Sequence, residues 1–97
     1  MSDIVLPDMH DWTLVGVDCD WATAVVRMRF ETTDGPMTLI ASGTSDLHVP
    51  LHTPWGRSVS VNTVISTAGP SSESRSLRIE MQSGDVLSVE ATSFEVR

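Results

Sequence analysis

A chain of 97 residues with 13 acidic and six basic side chains carries a net charge of −7, and every base is an arginine. At 40% hydrophobic residues it is too apolar for disorder, and no apolar run approaches the ~20 residues of a membrane span. Phosphate recognition needs clustered cations, so the balance argues against nucleic acid and anionic membranes and suits a cationic protein partner.

The first residues, Met1-Ser2-Asp3-Ile4-Val5-Leu6-Pro7-Asp8, lack the basic start and long apolar stretch of a signal peptide, which predicts a cytoplasmic protein. Trp12 to Cys19 reads as a first strand, with Thr13, Val15, Val17 and Cys19 on one face. Thr23 to Thr33 reads as a second, with Ala24, Val26, Met28 and Phe30 inward and Thr23, Arg27, Arg29 and Glu31 outward. An even turn, Cys19-Asp20-Trp21-Ala22, places Val17 against Ala24 and Val15 against Val26. Cys19, the one cysteine, is expected as a small buried hydrophobe. Asp18 and Asp20 beside it are poor neighbours for a nucleophilic thiolate.

Asp34-Gly35 marks a hairpin into a third strand, Met37 to Ser42, and the three strands form a meander. Leu47, Val49 and Leu51 alternate with Asp46, His48 and Pro50, a pattern for a short edge strand because proline cannot donate to an interior ladder. Val59 and Val61 begin a fifth strand that runs on through Val64-Ile65, and Ser66 to Arg75 reads as a polar loop. Leu77, Ile79 and Met81 then alternate with Arg78, Glu80 and Gln82, and Leu87, Val89 and Ala91 alternate with Ser88 and Glu90. Keeping both apolar rows on one face demands an odd loop, and Gln82-Ser83-Gly84 supplies one with glycine where φ must be positive. That register sets Ile79 against Leu87, Leu77 against Val89 and Arg78 against Ser88, with Glu90 diagonal to Arg78. Phe94 and Val96 form a last pairing segment. About seven short strands in a single domain over residues 1–97 predict an all-β fold, a β-sandwich or partly open barrel.

The chemistry is sparse. Tyrosine and lysine are absent, no serine sits in a nucleophile-elbow pattern, and no carboxylate pair has a reason for split pKa values. No catalytic residue, cofactor or metal is therefore expected, and the chain is read as a non-enzyme. The alternative of a small metal- or ligand-binding barrel would draw on His48, His52 and His10; an extended segment holds His48 and His52 roughly 13 Å apart, unless a kink at Pro50 closes the gap. Trp55 and Arg57, in Thr53-Pro54-Trp55-Gly56-Arg57-Ser58, have the residue types of interface anchors. Trp21, in a tight turn, is the tryptophan expected to be exposed, and with Asp18 and Asp20 it forms an acidic, apolar tip. Trp12 is expected to face the core or plug a strand end. A third reading is a homodimer made through an uncovered edge strand near Leu47 to Leu51.

At His10-Asp11-Trp12, Pro54-Trp55-Gly56, Ser58-Val59-Ser60-Val61-Asn62 and Ile79-Glu80-Met81-Gln82-Ser83-Gly84-Asp85 the chain resembles a type of small uncharacterised bacterial protein. More distantly it is similar to all-β immunity-type proteins of bacterial toxin systems, through a histidine-aspartate near the first strand and the meander of alternating strands. The second likeness implies a protein that blocks a toxin by direct contact, without catalytic residues. Composition and resemblance thus lead to a small protein-interaction module whose contacts are Trp55, Arg57, Trp21, Asp18 and Asp20.

Overall fold

The structure, a computed structural model, describes residues 6–50, 60–69 and 73–97. Eight strands run in chain order: β1 (Thr13–Asp20), β2 (Val25–Thr32), β3 (Gly35–Ser42), β4 (Asp46–His48), β5 (Val61–Ala68), β6 (Arg75–Met81), β7 (Val86–Ala91) and β8 (Ser93–Val96). They form two four-stranded antiparallel sheets, β1-β2-β3-β8 and β4-β7-β6-β5. The protein is an all-β sandwich. Among the described residues no helix is long and apolar enough to cross a membrane.

Period-two alternation places the core. Leu14, Val26, Met28, Phe30, Leu39 and Ala41 face inward from one sheet, and Val61, Leu77, Ile79, Met81, Leu87, Val89 and Ala91 from the other. Met9 fills the core from the segment before β1, and Trp12 seals that end with its ring centroid 5.7 Å from that of Phe30. Each fully buried large side chain contributes roughly 1.5–3 kcal/mol by leaving water.

The β6–β7 hairpin has the register expected from its alternation: Ile79 opposite Leu87, Leu77 opposite Val89, Arg78 opposite Ser88. Gly84 closes its loop at φ +97°, where a side chain would be strained. The meander β1-β2-β3 forms, β4 is an edge strand, and Phe94 and Val96 lie in β8 against β3. Pro36 fits inside β3 because its missing donor faces the side on which β8 has already ended, the last pairing being the two hydrogen bonds between Thr38 and Arg97.

Three expectations are corrected. First, a bulge between Leu14 and Gly16 inverts the parity of β1, so Leu14 and Val17 face the core while Val15 is 53% exposed. Second, the β1–β2 loop has the expected four residues but lies two positions later, at Trp21-Ala22-Thr23-Ala24, pairing Val17 with Met28. The Asp20 carboxylate causes the shift, since its Oδ1 accepts from the N–H groups of Ala22 (3.1 Å) and Thr23 (3.3 Å) and so fixes the turn after itself. Cys19 consequently lies at the mouth of the sandwich and is exposed. Third, Ser66-Thr67-Ala68 extends β5 against Leu77-Ser76-Arg75 instead of opening a loop. Leu51 and Val59 lie outside the described residues.

Hydrogen bonds to backbone carbonyls tie the two sheets together on two sides. Val61 N–H donates to the Trp12 carbonyl (2.8 Å) and Asp11 N–H to the Val61 carbonyl (2.9 Å), tying β5 to the entry of β1. On the opposite side Thr92, between β7 and β8, donates to the Ser42 carbonyl through both its N–H and its hydroxyl, each at 3.0 Å.

Candidate functional site

The shifted β1–β2 turn builds one wall of an open cleft at the end of the sandwich. Ala24 completes the turn in the left-handed region at φ +56°, and its carbonyl accepts from Thr44 N–H at 2.9 Å. That bond couples the turn to the β3–β4 connection, which is itself held by Ser45 N–H donating to the Glu90 carbonyl at 2.8 Å. Between the walls lies a cleft of about 660 Å³, with Cys19, Ala24 and Leu47 as its apolar lining and Asp20 and Asp46 as its charged lining. The volume falls within the range of ordinary ligand sites.

Trp21 stands on the rim with 92% of its surface exposed. An indole in water forgoes the burial that stabilises most tryptophans, and among the described residues Trp21 stacks on no other aromatic ring. The potential beside it is negative. Asp46 pairs directly across the ladder with Glu90, a like-charge juxtaposition that costs stability in a sheet. Asp20, Asp46 and Glu90 form no ion pair among the described residues. A cation docked here would meet an aromatic face and carboxylates together.

Asp18 does not join them. Its carboxylate takes the Arg29 Nε–H at 3.1 Å on the outer face of the first sheet, where the guanidinium lies across Gly16 in space that a Cβ would fill. Trp55, Arg57 and His52 lie outside the described residues. His48 is exposed on β4, at one edge of the second sheet, and His10 meets β5 at the other edge. Three strand spacings, about 14 Å, separate those edges, so His10 and His48 share no site. No group of three or more His, Cys, Asp or Glu side chains able to hold a metal ion occurs among the described residues.

A second polar cluster, at the β1–β5 seam, escaped the sequence reading. His10 Nδ1 lies 2.8 Å from the Asn62 carbonyl and its Nε2 3.5 Å from Asp11 Oδ1, which accepts from Gln82 Nε2 at 2.6 Å. Asn62 in turn donates to Glu80 at 3.3 Å. The Asn62 carbonyl, followed by the charge of Asp11, raises the pKa of His10 above its ordinary value. Asp11 itself sits at φ +69°. His10, Asp11, Asn62 and Gln82 are exposed and Glu80 is half-buried, and their hydrogen bonds act as a latch between the N-terminal segment and the second sheet.

Fold and site together define a small antiparallel β-sandwich with an acidic cleft capped by an exposed tryptophan. No protein-family model matches the chain, and no curated protein matches it.

Proposed function

We propose that this chain is a non-enzymatic protein-binding module that engages a cationic partner through the cleft at the β1–β2 turn. The observation that carries the reading is Trp21, 92% exposed on the rim of a cleft that also presents Asp20 and Asp46. An arginine or lysine side chain of the partner lies over the indole and reaches the carboxylates, and Leu47 and Cys19 receive its aliphatic stem. The net charge of −7 speeds encounter with a basic partner. Neutralising a basic toxin by direct contact, the role implied by the resemblance to immunity-type proteins, uses the same surface.

Calorimetric titration with a tetra-arginine peptide tests this reading. The expected result is saturable binding that weakens at least tenfold in Trp21→Ala and in Asp46→Asn, and weakens as salt rises. Binding that ignores both substitutions would place recognition elsewhere on the acidic surface.

A further inference from the structure

A sandwich of two open sheets has four edges, and three of them are blunted against pairing with another chain. β4 has only three residues, two of them Asp46 and His48, and Pro50 follows. β1 carries a bulge near its start and has Asp18 and Asp20 in its last three residues. β8 has four residues including Glu95, with Arg97 just after it. Short length, bulges and charge are the usual protections of an edge.

β5 has none of these along its second half. It is eight residues long, its sequence Val-Asn-Thr-Val-Ile-Ser-Thr-Ala has no charge, proline or glycine, and its one bulge, near Asn62, lies at the seam end. Ile65 is 45% exposed on its outer face. The direction of its free polar groups follows from the hairpin. Met81 donates to the Asp85 carbonyl and accepts from Gly84, so its polar groups face β7. Alternation turns those of Glu80, Arg78 and Ser76 to β5, where they meet Thr63, Ile65 and Thr67. Val64, Ser66 and Ala68 therefore point their N–H and C=O groups outward, and among the described residues no strand pairs with that side.

We infer that β5 pairs antiparallel with β5 of a second copy of this chain, joining the two β4-β7-β6-β5 sheets into one. The edge is its own complement. With Ile65 opposite Ile65 of the second copy, Val64 and Ser66 exchange backbone hydrogen bonds in both directions, and Thr63 faces Thr67. Ile65 then meets its counterpart in the close, non-hydrogen-bonded type of pair, on the same face as the threonine pairs. Charge favours a second copy here more than elsewhere on a chain of net −7. The edge is neutral, and one strand inward Arg75 and Arg78 outweigh Glu80. A strand-to-strand contact is small, below the roughly 1,200 Å² of a standard interface, so the dimer is weak, dissociating between roughly 10 µM and 1 mM. This surface lies on the opposite edge of the sheet from the β4 side that lines the cleft, and it does not depend on the proposed binding function.

Sedimentation equilibrium of the full chain with reductant present, so that exposed Cys19 forms no cross-link, tests the inference. The wild type should rise from the 10.5 kDa of one chain toward twice that mass across the micromolar to millimolar range. Ile65→Lys places charge against charge at the centre of the contact. Ser66→Pro removes an outward N–H that the β5–β6 ladder does not use. Both variants should stay monomeric at every concentration, with circular dichroism still reporting a folded sandwich; if Ser66→Pro fails to fold, Ile65→Lys decides alone. A wild type that remains monomeric at millimolar concentration, or a dimer that survives Ile65→Lys, overturns the proposal.

Discussion

Ala24 is the residue on which the shape of the cleft turns. It sits at φ +56°, half-buried, with its carbonyl holding Thr44. An L-residue in that region is strained by roughly 1–2 kcal/mol because its Cβ crowds the following carbonyl. Ala24→Gly removes the strain. Against this gain stand about 0.5–1 kcal/mol for the greater freedom of glycine in the unfolded chain and a few tenths, about half of a buried methylene, for the lost methyl. The balance is stabilisation by roughly 0.5 kcal/mol, or about 2–4 °C in Tm for a domain of this size. Ala24→Val is the opposite case, since a β-branched side chain fits that region worse still and should lower stability by more than about 1 kcal/mol. Thermal melts of both variants beside Thr38→Gly, a strand position where glycine should destabilise, give the comparison. Glycine at 24 destabilising as it does at 38, with valine tolerated, would mean that the turn is not built as described.

In the core, Ile79 is fully buried between the sheets, and Ile79→Ala should cost about 2–5 kcal/mol in chemical denaturation, whereas a cost near zero would contradict the packing. The latch at His10 gives a pH dependence. Its folded pKa is raised, so its stabilising contribution is complete below the unfolded value and is lost as pH rises through the folded value. Melts between pH 5.5 and 8.5 should therefore show the wild type losing more stability with rising pH than His10→Gln, and parallel curves would remove the latch. Trp21→Ala should leave Tm within about 2 °C of wild type, because a ring 92% exposed has little burial to lose; Trp12→Ala, which uncovers Phe30, should not.

What could be read in the sequence was whatever repeats locally. The β6–β7 register followed from two alternating rows and one glycine, since an odd loop was the only way to keep Ile79 and Leu87 on the same face. Two features defeated that logic at β1. A bulge at Val15 inverts inside and outside without any residue type announcing it, and an aspartate side chain, Asp20, chose between turns of equal length. Trp21 was recognisable as exposed from its turn, but the cleft beneath it was not, because Asp46 and Leu47 reach it only through the pairing of β4 with β7. Such pairings between distant strands depend on sheet order, which alternation does not encode. The same limit hid the latch, in which residues 10, 62 and 82 meet.

Recognition of a cation by Trp21 and the carboxylates beside it is followed most directly in ¹⁵N-resolved NMR spectra, through the indole N–H of Trp21, as tetra-arginine is added. The predicted result is a saturable shift of that resonance together with the amides of Asp20, Asp46 and Leu47, lost in Asp46→Asn and reduced by salt. Shifts spread evenly over Asp34, Glu73 and Glu95, with the Trp21 indole unmoved, would contradict it.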